Sequence, residues 1–169
     1  MSNVQIPEYQ FHTSLTLENP NLKTGRVVVY THKSVVVKLR PDLMSDKFSS
    51  IWLEAGLPNQ RKILICNAYK TSRSYEAQPE IWIIFIEQWE RAISEGKEVI
   101  CMGDMNIDHL KWARNNLPPN SITAKLRPLI NLLFERIIPL GVSQCVTTAT
   151  RTWPNQEDSG IDHVYTNKP

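Results

Sequence analysis

The chain has 169 residues, of which 41% are hydrophobic and 21% charged, as is typical of one globular domain with a sizeable core. Its formal net charge of +2 permits a phosphate-bearing partner but excludes the strongly basic composition of a dedicated electrostatic nucleic-acid binder. The widely spaced cysteines, Cys66, Cys101 and Cys145, exclude a zinc motif and a disulfide framework, so we expect buried free thiols. Without a signal peptide or a membrane-length apolar run, we expect an intracellular protein, nuclear or cytoplasmic, that does not enter a membrane.

The first quarter of the chain predicts irregular structure followed by two strands. Residues 1–25 are polar and contain two prolines, and only residues 9–11 resemble a short extended piece. Two β-branched runs follow at residues 26–30 and 34–39, with three residues between them. Their composition and short connection predict two adjacent antiparallel strands.

The middle of the chain predicts a hairpin, an amphipathic helix and a further strand. Residues 50–54 and 62–69 are apolar runs on either side of a turn-rich segment, as in an antiparallel hairpin. Apolar residues at helical spacing then predict a helix over residues 79–95 that buries this stripe in the core. The stripe consists of Trp82, Phe85, Ile86, Trp89 and Ile93. Residues 97–102 form the next predicted strand, and residues 103–106 lie on the loop beyond it.

The last third predicts one more helix and two short strands. Apolar residues at helical spacing predict the helix over residues 126–137, which Pro128 either begins in its first turn or kinks, and which ends at Pro139-Leu140-Gly141. Strands are expected at residues 145–148 and 161–165. The order, strands first and then strands interleaved with helices, predicts sheets packed between helical layers.

Polar side chains stand at the ends of three predicted strands. Tyr69 ends one, Asp104 and Asn106 follow another, and Asp162 lies in the last. Each has an ordinary explanation as a cap or turn residue, but together they would gather a phenol, two carboxylates and a carboxamide at one sheet edge. Such a set suits phosphodiester hydrolysis, in which a carboxylate activates water and neutral donors hold the phosphoryl oxygens. His163 does not face the same site, because adjacent side chains on a strand point to opposite faces.

Several ordered motifs resemble those of a known superfamily. Four of them are Arg26-Val27-Val28-Val29-Tyr30, Ile51-Trp52-Leu53-Glu54, Gly103-Asp104-Met105-Asn106-Ile107-Asp108 and Ala149-Thr150-Arg151-Thr152-Trp153. Two more are Asn67-Ala68-Tyr69 and Ser159-Gly160-Ile161-Asp162-His163. Together they resemble the endonuclease/exonuclease/phosphatase superfamily, and specifically the apurinic-like endonuclease domain of non-LTR retrotransposon pol-like proteins. The similarity covers nearly the whole chain.

That resemblance implies a four-layered α/β sandwich, in which two mainly antiparallel sheets face each other between outer helices. It also implies magnesium-dependent cleavage of DNA. By position in the motifs, Asp104 resembles the aspartate that activates the attacking water, and Asn106 the asparagine that binds the phosphate. Tyr69 resembles the tyrosine at the scissile phosphate, and Asp162 the aspartate that orients the catalytic histidine.

The resemblance also concerns two expected nucleic-acid contacts and two family motifs that have no counterpart here. Arg151 and Trp153 lie on a loop that is near the nucleic acid in relatives, and packing of the Trp153 ring as a loop anchor is the alternative. The family's metal-binding Glu strand and its closing Ser-Asp-His segment have no counterpart in this sequence. We therefore expect residues 1–169 to form one partial domain, incomplete at both termini, in which Mg²⁺ binding and DNA cleavage are weak or absent. Unpaired sheet edges would favour self-association.

Two other interpretations stay open. The chain is alternatively a non-catalytic remnant of the same fold that binds nucleic acid or a protein partner. The third interpretation is a phosphatase-type member that acts on a small phosphoester, because a fold alone does not define a substrate. Salt-dependent DNA binding without cleavage would support a nucleic-acid-binding remnant.

Overall fold

The computed structural model describes most of the chain, namely residues 5–13, 27–58, 61–70, 79–108, 110, 127–152, 154 and 158–168. Within these ranges the chain forms two β-sheets and two α-helices. This architecture confirms the predicted α/β class with two mainly antiparallel sheets. The irregular structure expected over residues 14–25 lies outside the described residues, and so does Trp153.

The larger sheet has six strands. In chain order they are β3 (Val37–Leu39), β4 (Ser49–Gly56), β5 (Lys62–Tyr69), β6 (Glu98–Asp104), β7 (Ser143–Gln144) and β8 (Asp162–Thr166). Their spatial order is β3-β4-β5-β6-β8-β7, and every neighbouring pair is antiparallel except β5 and β6. The parallel pair at the centre is joined through a helix, as parallel neighbours require a crossover connection.

The smaller sheet pairs β1 (Tyr9–Thr13) with β2 (Val28–His32) in antiparallel fashion. The hairpin predicted over residues 26–39 is therefore wrong, because β2 pairs with β1 and β3 pairs with β4. Strand propensity reports that a segment is extended but does not select its partner. Cross-strand contacts accompany the observed pairing, such as the rings of Phe11 and Tyr30, whose centroids are 5.4 Å apart.

Helix α1 (Pro79–Ser94) confirms the predicted amphipathic helix and packs against the larger sheet. Its buried residues are Trp82, Phe85, Ile86, Gln88, Trp89 and Ala92. The ring of Trp89 meets Tyr165 of β8 edge-on, with 5.1 Å between centroids. Truncating such a fully buried tryptophan to alanine typically costs about 3–5 kcal/mol, so this helix is a principal source of stability.

The three cysteines have different environments. Cys66 and Cys101 are register partners in β5 and β6 and are fully buried, and burial raises the pKa of the Cys66 thiol. Cys145 is exposed, contrary to expectation. The strand predicted at residues 145–148 is replaced by the two-residue β7, which ends at Gln144, so Cys145 follows the strand instead of lying within it.

The second helical segment is irregular. Helix α2 (Arg127–Leu132) continues into a π-helical turn (Leu133–Ile137) and a 3-10 turn (Ile138–Leu140). Pro128 lies in the first turn, which is one of its two predicted positions, and Gly141 ends the segment at φ +79°. Within the described residues, no helix combines the length and the apolar character needed to cross a membrane.

Candidate active site

Three of the predicted site residues lie side by side in the larger sheet. Tyr69 at the end of β5 is the register partner of Asp104 at the end of β6. Asp104 is in turn the partner of Asp162 at the start of β8. Register partners carry their side chains on the same face of a sheet, so a phenol and two carboxylates form one row across three strands.

Gly103 makes this close alignment possible. Its φ is +145°, and a Cβ atom there would lie 1.8 Å from the carbonyl oxygen of Ala68 on β5. Any larger residue would force the two central strands apart. Because β6 pairs with both neighbours through this glycine, Asp104 belongs to the strand and not to the loop that the sequence pattern predicted.

Asn106 is held beside Asp104 by hydrogen bonds to Asp104 at the end of β6 and to Lys70, the residue after β5. Its backbone N–H donates to Asp104 Oδ1 (2.8 Å), and its Nδ2 donates to the carbonyl oxygen of Lys70 (2.6 Å). The Lys70 N–H donates to the carbonyl oxygen of Asp104 (2.9 Å). Asn106 adopts φ +47°, a left-handed conformation that asparagine tolerates better than most residues. A carboxamide nitrogen carries two hydrogens, and the second suits a phosphoryl oxygen.

The electrostatic environment favours a proton-accepting role for Asp104. Burial raises its pKa, and the charge of Asp162 raises it further, whereas the N–H of Asn106 and the cations Lys70 and Arg151 lower it. A raised pKa makes an ionised carboxylate a stronger base near neutral pH. Lys70 is only 3% exposed and is a site residue that sequence analysis missed, because a lysine after a strand gives no sign of burial.

His163 faces away from this row, as strand alternation predicted. It is buried, whereas Asp162 is exposed. Its Nε2 lies 2.7 Å from the carbonyl oxygen of Ile107, and its Nδ1 lies 2.9 Å from the hydroxyl of Tyr165. The histidine therefore belongs to the interior of the sheet and not to the carboxylate pair.

Two side chains hold the backbone that leads into β8. Thr150 Oγ1 accepts hydrogen bonds from the N–H groups of Ile161 (3.2 Å) and Asp162 (3.1 Å). Asp108 Oδ1 accepts one from the N–H of Gly160 (3.0 Å). Sequence analysis gave neither side chain this role, because the bonded residues are 11 to 52 positions apart and no local spacing rule connects them.

The predicted nucleic-acid contacts are only partly described. Arg151 is exposed and forms a short antiparallel bridge with Ser159, whose N–H donates to the Arg151 carbonyl oxygen (3.0 Å). The positive charge of Arg151 lowers the pKa of the Asp104 carboxyl. Trp153 lies outside the described residues, so its contact with nucleic acid stays a prediction.

The magnesium implied by the family resemblance has few ligands here. Asp104 and Asp162 are two neighbouring carboxylates, and Mg²⁺ commonly takes one or two from a protein while water and substrate oxygens complete its shell. Among the residues that the structure describes, no group of three or more His, Cys, Asp or Glu side chains could hold a metal ion. Asp104 and Asp162 could supply two carboxylate ligands, and a metal ion bound there would take its remaining ligands from water and substrate.

The fold and this row of residues define a class of α/β proteins with a polar site at the ends of a central sheet. Sequence comparison identifies the class, because the model of the Endonuclease/Exonuclease/phosphatase family matches residues 2–169. The chain belongs to that family. No curated protein sequence matches it.

Solved structures share the fold at low sequence identity. The endonuclease domain of TRAS1, a telomere-specific non-LTR retrotransposon, is 14% identical with a TM-score of 0.64, covering 96% of this chain and 68% of its own. D. rerio TDP2, humanized by 14 mutations, is 14% identical with a TM-score of 0.51, covering 94% and 60%. The human Nocturnin catalytic domain with bound sulfate anion is 13% identical with a TM-score of 0.52, covering 95% and 61%. This chain thus spans only 60–68% of the length of each.

Proposed function

We propose that this chain is a retroelement-derived, endonuclease-like domain whose site binds and hydrolyses DNA phosphodiesters. One observation carries the proposal: Tyr69, Asp104 and Asp162 form a row across three neighbouring strands, with Asn106 bonded beside Asp104. A base and neutral donors suit attack on an anionic phosphate, because the base takes the proton of the attacking water and the donors hold the phosphoryl oxygens. The whole-chain family match supports the reaction class.

Each side chain has a defined role in the proposed reaction. Asp104 accepts a proton from the attacking water, for which its raised pKa is suited, while the phosphorus–oxygen ester bond breaks and the leaving oxygen takes its proton from solvent. The amide of Asn106 and the phenol of Tyr69 donate hydrogen bonds to the phosphoryl oxygens. Asp162 occupies the position of the aspartate that, by the family resemblance, orients the catalytic histidine. The neighbouring His163, however, is turned into the sheet. Hydrolysis by these 169 residues alone is therefore expected to be slow.

DNA is the proposed substrate and partner. Among the related structures, one is the endonuclease domain of a retrotransposon, and another is D. rerio TDP2 complexed with a single-strand DNA product. Arg151 beside the carboxylate row supplies positive charge for a phosphate backbone. The formal net charge of only +2 leads us to expect low affinity. Mg²⁺, which the resemblance implies, is proposed as a weakly bound cofactor that needs substrate oxygens to complete its shell.

A nicking assay on supercoiled plasmid in the presence of Mg²⁺ tests the reaction. We expect slow nicking by the unmodified chain, and none above background by the Asp104→Ala variant. Rapid nicking that Asp104→Ala abolishes would contradict the expected slow turnover and show that these residues suffice. Rapid nicking that persists in Asp104→Ala would contradict the role of Asp104.

DNA binding at several salt concentrations tests the substrate. We expect affinity that falls steeply with salt and is reduced about tenfold in Asn106→Ala, which removes one phosphate donor. The exposed Asp46→Asn variant is a control for substitution away from the site and should bind no more weakly than the unmodified chain. Absence of binding even at low salt would exclude DNA as the substrate.

One second candidate is a non-catalytic binding module of the same fold, which the small set of ligand side chains among the described residues favours. It predicts DNA binding that survives Asp104→Ala, with no nicking by either chain. A phosphatase-type member would instead turn over a small-molecule phosphoester faster than DNA. The same variants, assayed on both substrates, separate these outcomes.

A further inference from the structure

The backbone that delivers Asp162 to the site is bonded on both sides. Toward β6, the N–H of Met105 donates to the carbonyl oxygen of Ile161 (2.9 Å). Toward the preceding loop, Thr150 Oγ1 accepts from the N–H groups of Ile161 and Asp162. Residues 160–162 are thus held between the strand that carries Asp104 and the loop that carries Thr150.

The hydrogen-bond pattern determines how the two carboxylates face each other. Because the Met105 N–H is bonded to Ile161, the next pair along the ladder, Asp104 and Asp162, is a non-hydrogen-bonded pair. Side chains approach most closely in such pairs, where the Cα atoms are about 4.5 Å apart. The N–H of Asp162 then points away from β6 and toward Thr150, which accepts it.

A second side chain, Asp108, links the beginning of residues 160–162 to the loop after Asn106. Asp108 Oδ1 accepts the Gly160 N–H (3.0 Å) and also the Leu110 N–H (3.2 Å). Gly160 itself is buried. Asp108 therefore ties the entrance of β8 to the loop that continues from the Asp104–Asn106 turn.

We propose that Thr150 and Asp108 are positioning residues, which set the distance of the Asp162 carboxylate from Asp104 by holding residues 160–162. The inference deepens the proposed function, since it concerns the same site. Neither side chain is assigned contact with substrate. Their effect passes through the backbone of β8, and its measurable consequence is the influence of the Asp162 charge on Asp104.

The test measures the pKa of Asp104 by carboxyl carbon NMR in the full chain. Asp162→Asn provides the reference, because removing that charge should lower the pKa of Asp104. Thr150→Val keeps the shape but lacks the acceptor, and we expect a downward shift at least half as large as that of Asp162→Asn. Thr150→Ser retains the hydroxyl and should restore the value of the unmodified chain.

Asp108 provides a second, independent pair of variants. Asp108→Ala and Asp108→Asn both remove the charge, but only asparagine retains an oxygen that can accept the Gly160 N–H. We expect a lower pKa of Asp104 in Asp108→Ala than in Asp108→Asn. A purely structural role would lower the melting temperature of Thr150→Val or Asp108→Ala and leave the pKa of Asp104 where it is in their conservative partners.

The outcomes separate this inference from the proposed function. An unchanged pKa of Asp104 in Thr150→Val, or in Asp162→Asn, would overturn the positioning role. A chain that neither binds nor nicks DNA but shows the expected shifts would overturn the proposed function and retain the positioning role. Lys70 and Arg151, whose charges also affect the pKa of Asp104, are not substituted in any of these variants.

Discussion

At the scale of single residues, the ionised carboxylate of Asp104 lowers the stability of the fold. Asp104 is partly withdrawn from water and faces a second carboxylate, and both effects raise its pKa. A carboxyl whose pKa is higher in the folded than in the unfolded chain destabilises the fold when it is ionised. Functional sites commonly retain such unfavourable groups because the chemistry needs them.

Asp104→Asn is therefore expected to raise the melting temperature at pH 7. Asparagine keeps an oxygen for the Asn106 N–H and removes the charge. The penalty in the unmodified chain is absent below the unfolded pKa of about 3.9 and is complete above the folded pKa. The gain should therefore shrink as the pH falls to about 4.

Thermal unfolding of both chains at several pH values checks this expectation. The exposed Asp46→Asn variant serves as the control and should follow the unmodified chain at every pH. A lower melting temperature for Asp104→Asn at pH 7, or a difference that does not vary with pH, would contradict the assignment.

At the scale of elements, the central parallel pair β5 and β6 decides where the site forms. The two strands end together at Tyr69 and Asp104, and β8 begins opposite the same point. Gly103 allows this alignment, because a Cβ atom at this position would clash with the carbonyl oxygen of Ala68. Helix α1 covers the other face with aromatic side chains and leaves this end of the sheet to polar groups.

Gly103→Ala is expected to destabilise the fold by about 2–5 kcal/mol, from overpacking and from a strained backbone. Gly96→Ala is the matched control, because Gly96 also has a positive φ, of +70°, but no atom lies within 4 Å of the place that a Cβ atom would take there. That control should lose only about 1–2 kcal/mol. Chemical denaturation measures both, and equal losses would show that the contact with Ala68 carries no cost.

At the scale of the whole molecule, several exposed apolar side chains of the described residues lie along one edge of the larger sheet. Val36, next to edge strand β3, is 79% exposed while its carbonyl oxygen accepts the N–H of Gly56 (3.0 Å). Val35 and Leu39 nearby are exposed as well. Apolar residues along an edge strand favour pairing with another chain.

We expect concentration-dependent dimers that Val36→Lys weakens about tenfold. Burying one valine contributes about 1.5 kcal/mol, which corresponds to that factor, and a lysine on an edge opposes strand pairing. Leu140→Lys is the control, since Leu140 is also exposed (44%) but ends the 3-10 turn before β7, which is the opposite edge of the larger sheet from β3. Light scattering over a range of concentrations measures the dimerisation of the unmodified chain and of both variants. An identical effect of both variants would exclude association through β3.

The sequence by itself determined the elements whose signals are local. Helix α1 follows from apolar spacing between Pro79 and Gly96, and the β4–β5 hairpin follows from two apolar runs around a turn. The candidate residues Tyr69, Asp104 and Asp162 could be named because polar groups at strand ends interrupt apolar runs. The motif resemblance then indicated their family, which the family match confirms.

Only the tertiary structure decided which segments meet. A strand pattern reports that a face is buried but not which strand lies beside it, so the pairing of β2 with β1 was not predicted. The burial of Lys70 and the bonds from Thr150 and Asp108 depend on contacts between distant parts of the chain. The row of Tyr69, Asp104 and Asp162 exists because β5, β6 and β8 align in register, and register is a property of the folded sheet.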